Sequence, residues 1–135
     1  MSTWPQCALR YDGTFAGFLT CVGESFRQKT YPFYFLPPGA EQITLYPLQE
    51  IPSDPALARA VYRALETAVS PAFRRMMTYG FLTCLEEREL HLWRFLRLGY
   101  DRGPWVVRDL TDDRVAVLTR AVGHLTGEAH LLKGF

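Results

Sequence analysis

Lysine is nearly missing from this chain: only Lys29 and Lys133 occur among its fifteen basic residues, and arginine supplies the rest. Arginine suits fork-like contact with phosphate and stacking on planar groups better than lysine does, although a coding bias toward arginine leaves the same trace. Cysteine is sparse as well. Cys7, Cys21 and Cys84 are odd in number, far apart and without Cys-x-x-Cys or Cys-His spacing, which argues against a disulfide framework, a zinc finger or an iron–sulfur site. That usage fits a reducing cytoplasm. No apolar stretch approaches the roughly 20 residues of a spanning helix, and MSTWPQCALRYDG has no basic segment leading into an apolar run, so neither a membrane span nor a leader is expected. Gly-x-Ser-x-Gly, the P-loop and Gly-x-Gly-x-x-Gly are all absent, and no cysteine has an activating neighbour in sequence. Nucleophilic catalysis is unsupported, no catalytic residue is assigned, and an enzyme is not the expectation.

What is present is apolar and aromatic. With 135 residues, 48% hydrophobic and 14% aromatic, the chain is long enough for a single domain spanning 1–135. Fifteen Lys and Arg against fourteen Asp and Glu leave a net charge of +1, so any basic footprint must be local.

Hydrophobic periodicity predicts an α+β fold, mainly α-helical, with about five helices and one or two short N-terminal strands. CALRY, residues 7–11, alternates as a strand ended by Asp12-Gly13. Phe15, Phe18, Leu19, Val22 and Phe26 then recur at helical steps, with Asp12 near the N-cap. YPFYFLPPGAEQ, residues 31–42, reads as a connection pinned by its rings, and ITLYPL as a second strand ended by Pro47. Ser53-Asp54-Pro55 and Ser70-Pro71 are helix starts. The stripe Leu57, Val61, Leu65, Ala68 and the stripe Phe73, Met76, Met77, Phe81, Cys84 are expected to be buried, with Gly80 at a close approach. A central helix from about Glu86 to Leu98 should be capped by Gly99, followed by a turn at Gly103-Pro104 and an extended Trp105-Val106-Val107. Asp112 or Asp113 should cap a last long helix whose core face carries Val115, Leu118, Val122, Leu125, Ala129 and Leu132.

Candidate chemistry falls on these elements. His124 and Glu128 share one face of the last helix and His130 and Lys133 another, while Glu128 and His130 point apart. A metal site would need further ligands, and His91 with Glu87 is an ordinary solvent-face pair, so no metal and no cofactor are expected. The carboxylates Asp12, Glu50 and Glu128 could meet only through the fold. Gly123 and Gly127 each cost the last helix roughly 1 kcal/mol relative to alanine, which close packing of another backbone would offset. Arginine gives the more useful pattern: Arg59 and Arg63 on the second helix, Arg74 and Arg75 opening the third, Arg94 and Arg97 on the fourth. Adjoining, these faces would bind phosphate, with Tyr79, Trp93 or Tyr100 stacking on a base.

YDGTFAGFLTCVGESF, SPAFRRMMTYGFL, LHLWRFLRLGY and GEAHLLKGF stand in the order and near the spacing found in a family of probable DNA metabolism proteins (the domain of unknown function DUF4130), which the chain resembles over nearly its whole length. The most specific pieces are Tyr11-Asp12-Gly13 and Glu128-x-His130-x-x-Lys133-Gly134-Phe135. The resemblance implies an accessory role in DNA repair or DNA modification, and the arginine pattern would put DNA binding on Arg74, Arg75, Arg94 and Arg97. Its implied partner is a radical-SAM or uracil-DNA-glycosylase-like protein that would supply the chemistry. Leu131 or Leu132 stands where the family usually has an arginine, and the family usually continues past Gly-Phe into a strand-richer half. The chain is therefore expected to be the N-terminal helical part of a longer family domain. Two other functions remain open: a protein-interaction adapter docking through exposed aromatics, and a hydrolase using His91, His124 or His130 with a metal.

Overall fold

A computed structural model describes residues 4–40 and 45–133, the last eight of them by their backbone course alone. The chain forms two compact units, Met1–Arg63 and Ala64–Phe135. The fold is α+β and mainly helical, with five α-helices and a three-stranded sheet among the described residues.

The first unit is a small parallel sheet with two helices. Strand β1 (Gln6–Arg10) lies between β2 (Tyr31–Leu36) and β3 (Leu48–Glu50), and both outer strands run parallel to it. Parallel neighbours require a crossover, and α1 (Phe15–Gln28) is the one between β1 and β2. Its inward stripe of Phe18, Leu19, Cys21 and Val22 is buried, and Phe18 meets Phe35 of β2 at 5.3 Å between ring centroids.

Two expectations change here. Residues 31–36, expected as a connection, form a strand, because Pro32 sits on an outer strand beside the register shift at Cys7/Ala8 and removes no essential ladder bond. The expected strand ITLYPL falls partly on residues 41–44, outside the described residues. A strand does form, but after Pro47, at Leu48–Glu50. Thr14 is the N-cap of α1, with Asp12 near it as expected: the Thr14 hydroxyl accepts from Gly17 N at 2.9 Å, while Asp12 accepts from both the N–H and the hydroxyl of Thr14. Helix α2 (Pro55–Ala64) starts as expected, with Asp54 Oδ1 accepting from Ala56 N and Leu57 N.

The second unit is helical. A π-helical turn, Leu65–Val69, leads through Ser70 into α3 (Pro71–Phe81), where Ser70 Oγ accepts from Phe73 N at 3.0 Å and Pro71 fills the first turn. Helix α4 (Arg88–Arg102) packs against α3, α5 (Asp113–Lys133), the π turn and the 3-10 segment Pro104–Arg108. Leu92, Trp93, Phe95, Leu96, Leu98 and Gly99 are all buried, so α4 is the central helix of this unit.

The expected helix end at Gly99 lies inside α4. A Cβ on Gly99 would stand 2.3 Å from the ring of Phe73, so the glycine makes room for that ring, and Gly103 at φ 86 ends the helix. Trp105-Val106-Val107, expected as extended, is 3-10 helical, following a proline that sets the first turn. Leu57 and Val61 are half-buried and Ala58 is buried in α2; in the π turn the wider winding buries Leu65 and Val69 and leaves Ala68, the next position of a regular stripe, exposed. Cys84 likewise lies past the end of α3 and is exposed. Asp112 caps α5 by accepting from Arg114 N at 2.9 Å. Val115 and Leu118 are buried, Val122 and Leu125 are half-buried, and Ala129 and Leu132 lie where side chains are outside the described residues.

Candidate nucleic-acid interface

Helices α3 and α4 run antiparallel, and contacts fix their register. Phe73 lies against Gly99 and stacks on Phe95 at 4.7 Å, and Gly80 lies against Leu92, whose Cδ2 would be 2.7 Å from a Cβ there. Moving up α3 therefore means moving down α4. Arg75 is level with the turn that carries Arg97, and Tyr79 with the turn that carries Arg94.

Exposure separates the four arginines. Arg75 and Arg94 are exposed, whereas Arg74 and Arg97 are half-buried. Arg74 meets Glu66 of the π turn at 2.6 Å, and Arg97 carries its guanidinium over the Trp93 ring at 5.8 Å. One charge of the expected phosphate-binding set is thus already matched by a carboxylate. Arg75 and Tyr79 on α3 and Leu82 just past its end follow one another at steps of four and three residues, and all are exposed. That line places a cation one turn from an aromatic ring.

Trp93 cannot stack on a base, because it is fully buried. Position explains the difference: an aromatic-rich helix buries its rings against neighbours when it is central, and on α4 Arg94, Tyr100, Asp101 and Arg102 are the exposed residues. Tyr79 and Tyr100 remain exposed, and partial burial raises the Tyr100 hydroxyl above its ordinary value. His91, half-buried on α4, is held below the usual imidazole range by burial and then by Arg94, with Glu87 opposing them. A charged imidazole there is disfavoured. Arg59 and Arg63 are exposed on α2 of the first unit.

Tyr11-Asp12-Gly13 stands at the carboxyl end of β1. Tyr11 is buried, donates its N–H to Leu36 O at 3.0 Å and meets Phe18 edge-on at 6.4 Å. Asp12 is held below its ordinary carboxylate value, first by the Thr14 hydroxyl and then by the Thr14 amide. Gly13 takes φ 85 with Pro38 packed on it. All three residues thus build the turn into α1. A recess of about 480 Å³ nearby is lined by Thr20, Glu24, Glu50 and Asp54 among others. Thr20 bonds to Ala16 O and to the backbone of Asp54, Asp54 caps α2, and Glu24 pairs with Arg27, so those groups already serve the fold.

No family model, curated protein or solved structure matches the chain. The closing motif falls outside what is described: Gly134 and Phe135 altogether, and Glu128, His130 and Lys133 by their side chains. Among the described residues no three or more His, Cys, Asp and Glu stand together as metal ligands, and no helix is long and apolar enough to cross a membrane. Gly123, expected at a close approach, has no atom within 4 Å of an added Cβ among the described residues.

One grouping was not expected from the sequence. Cys84, Arg120 and His124 line a common groove, although 36 residues separate Cys84 from Arg120 in the chain. No local spacing could announce it, since the α3–α4 connection and α5 meet only in the folded unit.

Proposed function

We propose that the helical unit binds nucleic acid through its phosphates, as an accessory protein of DNA repair or DNA modification that presents DNA to a partner enzyme. The observation that supports this reading is the register of the α3–α4 pair, which sets Arg97 level with the exposed Arg75 and, one turn along, the exposed Arg94 level with the exposed Tyr79. Guanidinium groups release counterions on meeting phosphate, and a tyrosine beside them offers a stacking surface for a base. Arg74 contributes less, because Glu66 already holds it. The resemblance to the probable DNA metabolism proteins supports the repair context, in which a radical-SAM or uracil-DNA-glycosylase-like partner does the chemistry. Binding to single- and double-stranded DNA, titrated with salt, tests it. Binding at low salt that weakens in the variant Arg94→Ala with Arg97→Ala is expected; no binding at low salt, or none of that weakening, refutes it.

A protein-interaction adapter is the second reading, favoured by large apolar side chains left in solvent. Trp105 is 68% exposed, Leu82 58% and Leu110 57%. Co-purification of a protein partner that survives nuclease and high salt, and is lost with Trp105→Ala, is its expected outcome. Persistence of capture in that variant would count against it.

A further inference from the structure

Trp93, the tryptophan that the sequence offers for stacking, is buried, but the helical unit exposes another. Trp105 is 68% exposed on the 3-10 segment Pro104–Arg108. The guanidinium of Arg108 lies over its ring, 4.7 Å from the centroid. The winding sets this pair, because residues three apart in a 3-10 helix stand directly above one another. The segment is also anchored. Val106 is buried, its N–H donates to Gly103 O, and Asp109 N donates to Val106 O. Arg102, at the end of α4, meets Asp109 at 2.8 Å and Asp112 at 3.2 Å, and Arg114 meets Asp112 as well. Those two carboxylates are thereby matched, whereas Arg108 is exposed and forms no ion pair among the described residues. An open indole face and an unmatched cation therefore stand together on a fixed segment.

We infer that Trp105 with Arg108 is a stacking site for one unpaired nucleobase, which makes single-stranded nucleic acid the preferred ligand of this unit. The inference rests on the nucleic-acid reading above and adds a site outside the arginines of α3 and α4. The guanidinium takes one face of the indole and leaves the opposite face to a second planar group. Every nucleobase has such a face, and a duplex covers it. The N–H edge of Arg108 is left for the phosphate that the base brings with it. An apolar protein partner would have to bury the charge of Arg108 without an anion, which is costly, whereas a nucleotide carries its own. Asp101 and Asp113 are exposed nearby in the chain and lower the local positive potential. Stacking, more than charge, therefore supplies the affinity of this site.

The test titrates the full chain at low salt with labelled single-stranded oligothymidylate and with a DNA duplex, following label anisotropy and tryptophan fluorescence together. Oligothymidylate should bind more tightly than the duplex and quench the tryptophan emission. Trp105→Ala should weaken oligothymidylate binding roughly ten-fold, the loss of one stacked base, and leave duplex binding nearly unchanged. Trp105→Phe keeps a ring, so binding should persist while most of the quenching disappears, because Trp93 is buried and Trp4 lies against Phe26. Arg108→Ala should make the slope of log affinity against log salt shallower by about 0.7. No binding of either DNA sinks both the nucleic-acid reading and this site. Binding without quenching, or binding that Trp105→Ala leaves unchanged, sinks this site alone and leaves the arginine surface standing. Loss of a captured protein partner in Trp105→Ala, with oligothymidylate affinity intact, would assign the ring to a protein and equally overturn the proposal.

Discussion

The carboxylate of Asp12 occupies the space that a side chain at Gly17 would need: an added Cβ on Gly17 would stand 2.0 Å from Asp12 Oδ1. Asp12 is drawn there by the N–H and hydroxyl of Thr14, and Thr14 in turn caps Gly17. A single glycine thus lets two polar side chains close the first turn of α1 at the carboxyl end of the sheet.

Gly17→Ala should destabilise the chain by about 1–3 kcal/mol through overpacking. The cost should shrink when Asp12→Ala is added, because the clashing oxygen is gone, and chemical denaturation of the two single variants and the double variant reads that coupling. Additive effects would mean that the carboxylate is not the obstacle.

Three glycines in the helical unit should respond differently to the same substitution. Gly99→Ala must displace the Phe73 ring, which is itself stacked on Phe95, and should cost about 1–3 kcal/mol. Gly80→Ala crowds the end of the flexible Leu92 side chain, with Leu118 at ordinary contact distance, and should cost less. Gly123→Ala meets nothing within 4 Å among the described residues and should stabilise by up to about 1 kcal/mol from helix propensity. Melting temperatures of the three variants check the order.

Much of this was legible in the sequence, and the misses share a cause. The starts of α2 and α3 were readable because capping side chains and prolines act on their own neighbours, Asp54 on Ala56 and Leu57, Ser70 on Phe73. Strand β2 was hidden because Pro32 argues against a strand unless its edge position is known, which only the strand order shows. Gly99 looks like a helix end from its neighbours alone, and becomes a packing site only once Phe73 arrives from α3. Trp93 and Tyr79 carry the same stacking potential in sequence, and burial of one against exposure of the other decides between them. The groove around Cys84 has no local signal at all.

Acid should loosen the start of α5. Asp112 meets Arg114 at 2.8 Å and Arg102 at 3.2 Å, and these contacts, the Arg114 hydrogen bond foremost, pull its carboxyl down to about 2. A depressed folded value means that the stabilisation is fully present above the ordinary carboxylate value of about 4 and is lost as the pH falls toward 2. The melting temperature of the natural chain should therefore exceed that of Asp112→Asn at neutral pH and approach it in that acid window. A difference that stays constant down to pH 2 would contradict the assignment.

Of the guanidinium groups that support the nucleic-acid reading, two are exposed, Arg75 on α3 and Arg94 on α4. Its most direct test is the salt dependence of single-stranded DNA binding for the natural chain and for Arg75→Ala with Arg94→Ala. The account predicts measurable binding at low salt and a slope of log affinity against log salt shallower by roughly 1.4 in the variant, about 0.7 for each phosphate that an arginine no longer neutralises. Equal slopes, or no binding by the natural chain at low salt, would contradict it.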